Sequence, residues 1–598
     1  MRPDTWYNER YAETQKEVSI TNKRIRNVSM LRITLFLTGI AIITYLWGES
    51  STEIITWSLV AFIPFLGLLK VHTKLFNRKQ WLEIKADLIR KELLGLKNDY
   101  SEFDEGNEFI NPNHKYTFDL DVFGKKSLFQ AINRTCTQIG KRTLGHWLEN
   151  HLRDKSSIEE RQACIKELCK NYKFREEFAI IGNINQSVSE DEINIRKWVE
   201  ESNTFTQATW VKVLVWGVPT TNIILLLLGF LDILSYSWFG MVFFSFIVIS
   251  FSVVKRAAIL QEEYTEKLMT LNTYTQLIAL MEKQAWEAPH LKNLIKTLKI
   301  NEQSPAKALT ILSKELSRLD LRNNQFLYVI LEGSMFFQLR QMVRIENWKI
   351  KYGNYLEDWL RVVGEIDALC SLATFSYNHP YYIYPTISEK PFCLEARDMG
   401  HPLMPVEQCV KNDANIPHQP YFLIITGANM AGKSTYLRTI GTNYLLACIG
   451  APVCCKELKL YPSQLVTSLR TSDSLSEHES YFFAELKRLK HIIDLLNSGE
   501  ELFIILDEIL KGTNSTDKQK GSFNLVKQFI LTQANGIIAT HDLLLGELAN
   551  VFPNEIKNYC FEADITNDQL TFSYKIREGV AQNMNACFLM KQMGIVFD

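Results

Sequence analysis

The chain has 598 residues, 46% hydrophobic and 22% charged, which excludes a disordered polymer and implies several folded domains. Its formal net charge of −1 excludes bulk attraction of polyanions, so any nucleic-acid contact would need local basic patches. The 11 cysteines form no CxxC pair and no Cys/His cluster at metal spacing, a pattern of reduced cytosolic thiols rather than of a disulfide framework or zinc site.

In chain order, the first predicted elements are apolar. Runs 33–47 and 54–69 flank a short polar turn, and runs 213–231 and 239–254 flank a loop holding Asp232, Ser235 and Ser237. Each approaches the ~17–25 residues that cross a bilayer as a helix. Lys23, Arg24, Arg26 and Arg32 precede the first run, and Lys70, Lys74, Arg78 and Lys79 follow the second. Lys255 and Arg256 follow the fourth, whereas the turns within each pair carry no Lys or Arg. The positive-inside rule then puts both hairpin tips outside the cytoplasm. The expectation is a multi-pass protein of the cell membrane, with two transmembrane helical hairpins and all else cytoplasmic. Buried helices of a soluble all-α region are the alternative, but Ile223, Ile224 and the four leucines after them leave no polar face.

Residues 1–80 are thus a cytosolic lead with the first hairpin, and 81–115 an acidic linker holding Asp99, Glu102, Asp104, Glu105 and Glu108. In 116–208, Leu128, Ile132, Ile139, Leu144 and Leu148 recur at helical spacing, as the first part of a helical core. The second hairpin, 209–256, interrupts this core. Residues 257–394 then read as long helices rich in Leu, Lys and Glu, a lever and the core's second part. From 395 to 598 short β-branched runs alternate with helical ones, the pattern of a parallel sheet with crossover helices.

This last stretch carries the chemistry. A strand at 421–425 leads into Gly427, Ala428, Asn429, Met430, Ala431, Gly432, Lys433, Ser434 and Thr435, where 427–434 fit G-x-x-x-x-G-K-[ST] in full. In such a P-loop (Walker A) the glycines let backbone N–H groups wrap phosphates at a helix N-terminus. Lys433 would reach the β- and γ-phosphates of ATP, and Ser434 would ligate Mg2+. A second strand, 502–506, ends in Asp507 and Glu508. If it lies beside the P-loop strand, Asp507 holds the Mg2+ and Glu508 orients or deprotonates the attacking water. A third, 536–540, delivers His541 to the same edge as a γ-phosphate sensor. Ser480 opens an amphipathic stretch, where its hydroxyl suits either a phosphate or a plain N-cap.

Residues 426–435, then Ser472 and Asp473 with 480–485, then Asp507 and Glu508 with Gly512 and Thr513, then Thr540 and His541, resemble in order and spacing the ATPase domain of the MutS mismatch-repair family. Leu128, Gly140, Leu144, Leu148, Arg161 and Gln162 resemble the start of that family's helical core, and 365–369 with Gly400, His401 and Pro402 its end. The resemblance implies an α/β P-loop NTPase domain of the ABC type at the C-terminus, beside an all-α helical core and lever domain. It implies ATP hydrolysis to ADP and phosphate in a homodimer with composite sites, Ser480 reaching the partner's γ-phosphate and His541 acting as a switch. It also implies DNA binding in the context of DNA mismatch repair, the ATP state setting the grip of a dimeric clamp. The sequence departs from the family in 1–115, where no counterpart of its mismatch-reading domain is seen, and at Cys409, where an aromatic residue often stacks on adenine. Lys255, Arg256, Lys267, Lys283, Lys292, Lys296 and Lys299 are candidate DNA contacts, or else a solvated face or headgroup neighbours. Two readings follow: a membrane-tethered MutS-like ATPase acting on DNA, or a membrane-anchored ATP-driven conformational switch acting on a protein or membrane partner without DNA.

Overall fold

A computed structural model of the chain describes residues 2–46, 51–184, 197–199, 208–299, 303–319, 325–428, 430–470, 481–510, 514–566 and 569–582. Helix α1 (Pro3–Tyr45, 43 residues) begins with proline in its first turn, where a missing N–H costs nothing, and packs along α2 (Ser51–Gly95, 45 residues). At 1.5 Å per residue each is about 65 Å long, twice a bilayer's hydrocarbon core. Their apolar halves meet each other at Phe36, Phe62 and Phe65 and leave large side chains exposed on their other sides: Ile33 is 61% exposed and Ile63 62%. The lower half of α2 behaves differently. Leu82, Ala86 and Ile89 recur at i, i+4 and i+7 and are buried where α2 meets α6 (Tyr172–Ile184). The acidic linker expected over 81–115 is therefore helical as far as Gly95.

Short helices α3 (Leu128–Ile132), α4 (Gln138–Glu149) and α5 (Lys155–Lys170) lie between α2 and α6. Each starts on a side-chain cap: Ser127 accepts from Gln130 N, Thr137 from Gly140 N and Asp154 from Ser157 N. Helices α7 (Thr209–Phe230) and α8 (Tyr236–Glu282, 47 residues) form the second apolar hairpin. α8 runs unbroken through the expected boundary at 256/257, because no Gly or Pro interrupts it there, so one helix serves hairpin and lever. Among the described residues, α1, α2 and α7 are long and apolar enough to cross a membrane, and α8 adds the shorter apolar stretch Tyr236–Ser250. Helices α9 (Pro289–Leu298), α10 (Pro305–Leu319), α11 (Gln325–Met335) and α12 (Phe337–Asn378, 42 residues) complete the helical part, α12 packing on α4, α5 and α10.

The C-terminal third holds two larger sheets. Strands β1 (Thr386–Ile387), β2 (Leu394–Met399), β3 (Asn412–Ile416) and β5 (Glu457–Leu460) pair in the order β1-β5-β2-β3. This sheet begins before residue 395, where the helical lever was expected to end, because α12 stops at Asn378. The other sheet contains β4 (Tyr421–Gly427), β6 (Gln464–Ser468), β7 (Leu502–Asp507), β8 (Asn535–Thr540), β9 (Ile556–Phe561) and β12 (Arg577–Glu578), in the order β12-β9-β4-β8-β7-β6 and parallel except at β12. A two-stranded ribbon, β10 (Ala563–Thr566) with β11 (Gln569–Phe572), lies between β9 and β12 in the chain.

Both faces of the parallel sheet are covered, and side chains alternate between them. Leu423, Ile425, Phe503, Ile505 and Ile537 join one core with α13 (Lys433–Cys448), α4, α5 and α12. Phe422, Ile424, Ile504, Leu506 and Ile538 join a second core with α14 (Tyr481–Asn497) and α15 (Ser515–Leu531). The ATPase-like sheet thus shares one continuous hydrophobic core with the helical part.

Candidate ATP site

At the end of β4 the chain must turn back on itself within a few residues. Gly427 has φ 146°, and a Cβ there would lie 2.4 Å from the Phe561 carbonyl oxygen, so only glycine fits. Gly432 (φ 108°) precedes α13 and Met430 (φ 66°) forms the exposed tip, while Ala428 and Ala431 are buried beneath it. The Nζ of Lys433 folds back over the loop, donating to the carbonyls of Gly427 at 2.7 Å and Ala428 at 2.9 Å. Ser434 and Thr435 are exposed on the first turn of α13, where backbone N–H groups and the helix dipole favour an anion.

The strand bearing Asp507 and Glu508 is not the neighbour of the P-loop strand. β8 lies between them, pairing with β4 on one side and β7 on the other. Asp507 nevertheless meets the P-loop, because α13 crosses the sheet and contacts β7 and β8 as well as β4. Ser434 Oγ donates to Asp507 Oδ2 at 2.5 Å. Two hard oxygen donors converge there, the set that suits Mg2+.

The inserted strand supplies His541 at its carboxyl end. His541 Nε2 lies 2.7 Å from Glu508 Oε1, and Lys433 Nζ is 3.4 Å from the same nitrogen. Glu508 adopts φ 53°, a left-handed conformation rarely held by a side-chain-bearing residue, and its N–H donates to Ala539 O at 2.9 Å. Strain of this kind concentrates at functional sites. Leu510 is left-handed too, and its N–H donates to the buried Glu485 carboxylate on α14 at 2.6 Å. Glu485 thus fixes the turn after Glu508, a role its sequence position did not reveal. Asn429 and Ser480 lie outside the described residues; the other proposed site residues gather at one end of β4, β7 and β8.

A second layer went unread in the sequence. Asp119, fully buried, accepts from Thr467 Oγ1 (2.7 Å), Leu469 N (3.1 Å), Arg470 N (3.1 Å) and Arg488 Nη2 (2.8 Å). Asp121 receives both Arg470 nitrogens, at 2.6 and 2.9 Å, and Arg438 Nη1 of α13 at 2.8 Å. Burial lowers the Arg438 pKa from its ordinary value, and the Asp121 charge opposes that shift. The segment leading into α3 is thereby fastened to the P-loop helix and to the end of β6. The only sequence signal was a pair of acids, Asp119 and Asp121, in an otherwise apolar stretch.

Comparison with known families falls on the same two units. The family model for MutS domain V matches residues 423–593, and that for MutS domain III matches 116–373. The chain belongs to the MutS family. Curated relatives include the DNA mismatch repair protein MutS of Acetivibrio thermocellus, 27% identical over 516 residues, covering 79% of this chain and 57% of that protein. The protein of the same name from Clostridium novyi is 24% identical over 525 residues, covering 79% and 56%. The chain thus spans little more than half the length of these MutS relatives. Residues 1–115, with the α1–α2 hairpin, fall outside both family matches, whereas α7 and α8 lie inside the domain III match. The MutS core of this chain therefore carries an apolar hairpin within it.

Proposed function

We propose that this MutS-family chain hydrolyses ATP with Mg2+ as a homodimer acting on DNA, with α1–α2 and α7–α8 anchoring it in the cell membrane and the ATPase domain in the cytoplasm. One observation carries the catalytic part: Lys433, Ser434, Asp507, Glu508 and His541 meet through contacts of 2.5–3.5 Å although they come from three separate strand ends. Lys433 would exchange the loop carbonyls for phosphate oxygens. Ser434 and Asp507 would hold Mg2+, which supplies charge neutralisation at the phosphates. Glu508, oriented by its φ and by His541, would position the attacking water and take its proton. Membrane anchoring is supported by the many large apolar side chains that α1, α2 and α7 leave exposed among the described residues. DNA contact is supported by the names of the relatives and by the exposed Lys283, Lys292, Lys296 and Lys299 below the hairpin.

The test is steady-state ATPase of the purified full-length protein with no DNA and with homoduplex, mismatched or branched DNA. Stimulation by one DNA form, weakening steeply with salt, is the expected result. A second reading, an ATP-driven switch on a membrane or protein partner, is favoured by the unbroken course of α8 from the apolar hairpin into the MutS core. A rate indifferent to all DNA forms but altered by lipid vesicles would replace the first reading with the second.

A further inference from the structure

Helix α11 ends against the second hairpin, not inside the helical core. Gly333 comes so close to α8 that a Cβ there would lie 2.5 Å from the Phe243 ring. At this level the helix breaks: Phe336 takes φ 46° and separates α11 from α12. A helix break frees backbone groups, which water would satisfy at a protein surface but hydrocarbon would not.

Several of the freed groups at this elbow are met by side chains. Asn222, midway along α7, donates to the terminal α11 carbonyls of Gly333 at 3.0 Å and Ser334 at 3.1 Å. Glu332 Oε1 accepts from Gln338 N at the start of α12 at 2.7 Å, while its Oε2 accepts from Ser250 Oγ of α8 at 2.8 Å. In α7, Pro219 lacks the N–H that would have served the Val215 carbonyl, and Arg340 Nη2 of α12 fills that gap at 2.8 Å. Asn222, Ser250, Glu332 and Gln338 are all buried. Among the described residues α11 also carries two exposed apolar side chains, Val329 at 37% and Ile330 at 44%, on the same three-helix unit as the exposed Val213 and Val248.

We propose that the α11–α12 elbow is a re-entrant wedge that enters the bilayer beside α7–α8, with Val329 and Ile330 against lipid acyl chains. This rests on the membrane reading given above. Lipid is the occupant because α11 packs directly on α7 and α8, the pair read as spanning the bilayer, and because buried side chains rather than open solvent meet the Gly333 and Ser334 carbonyls and the Gln338 N–H.

The photoprobe p-benzoylphenylalanine, replacing Ile224, Val329, Ile330 or Lys292 one at a time in the full-length protein, tests this in phosphatidylcholine vesicles, with lipid adducts read by mass. The expected result is adduct at 329 and 330 at yields comparable with 224, and none above background at the exposed Lys292 site. Adduct at 224 with none at 329 and 330, or crosslinks from 329 and 330 into protein instead, overturns the wedge and leaves the hairpin standing. No adduct at 224 either would sink the membrane reading itself.

Discussion

Asp119 is the sharpest place to test how the candidate ATP site is joined to the helical core. Its carboxylate is wholly buried and accepts four hydrogen bonds, from Thr467, Leu469, Arg470 and Arg488. Asp119→Ala would take the acceptor from two backbone N–H groups and the charged partner from Arg488, leaving the Thr467 hydroxyl its longer contact to Lys115 O at 3.4 Å and Arg488 its contact to Arg470 O at 3.3 Å. Breaking a buried charge pair from one side costs ~3–5 kcal/mol, and the orphaned N–H groups belong to the same penalty rather than adding in full. For a unit of this size each kcal/mol moves the melting temperature by ~2–4 °C, so a fall of about 10 °C is expected. Asp119→Asn keeps the volume and one acceptor oxygen and should lose roughly half as much, about 2 kcal/mol. Thermal unfolding of the detergent-solubilised protein, followed by intrinsic fluorescence, measures both. Because Leu469 and Arg470 lead directly into 471–480, ATP turnover should drop in the alanine variant even well below its melting temperature. An alanine variant that melts within ~2 °C of wild type, with unchanged turnover, would refute the view that this carboxylate joins the two units.

Glu508→Gln should still bind ATP but turn it over ~10²–10⁴-fold more slowly, whereas Lys433→Ala should weaken nucleotide binding itself; filter binding beside steady-state rates separates them. His151 is buried with Nε2 accepting from Leu465 N and Nδ1 placed to donate to Leu152 O, and burial holds its pKa down to about 4. The unfolded chain protonates it first, so the stability it contributes is present above about 6.5 and lost as pH falls towards 4. Melting temperatures over that window should drop less in His151→Gln than in wild type, and an unchanged slope would exclude His151 as a source; His114 and His401, also held near 4 by burial, keep the slope from vanishing. Glu92→Ala should free the base of the first hairpin, since buried Glu92 accepts from Arg134 at 2.6 Å and Asn378 at 2.7 Å; limited proteolysis should cut faster near 96–106 with nucleotide affinity unchanged.

The parts of the site that the sequence displayed are those built from contiguous residues. The P-loop, the Asp507–Glu508 strand end and His541 each sit in a short stretch whose local pattern is required by its chemistry, so each could be read alone. Strand order could not, since the pairing of β8 between β4 and β7 depends on crossover lengths and packing rather than on any residue within the strands. The roles of Asp119 and Asp121 could not be read for a related reason. Their partners, Arg438, Arg470 and Arg488, are more than 300 residues away along the chain. The α11 wedge escaped hydropathy because an 11-residue helix containing Glu332 is too short and too polar to read as a span. The acidic linker was misjudged over 81–95 because composition there is charged, while the buried face needs only Leu82, Ala86 and Ile89.

The geometry also explains how one chain can join a candidate ATP site to two apolar hairpins. α12 is about 63 Å long and is fastened at both ends. Near its start Arg340 holds the α7 carbonyl of Val215, and at its end Asn378 binds Glu92 of α2 and the Tyr7 hydroxyl of α1. Between them, the buried Asp367 carboxylate accepts from Cys136 N and Thr137 N, and Ser371 Oγ donates to Ile132 O. A Cβ on Gly140 would lie 2.2 Å from that carboxylate, so α4 and α12 touch with no slack. The residues it grips, 132–140, are joined through α3 to the Asp119–Asp121 segment that Arg438 ties to the P-loop helix. Packed helices shift as rigid bodies between discrete fits rather than deforming continuously. These contacts form one continuous path from Arg438 of α13 through α3 and α4 to α12, whose two ends touch both hairpins.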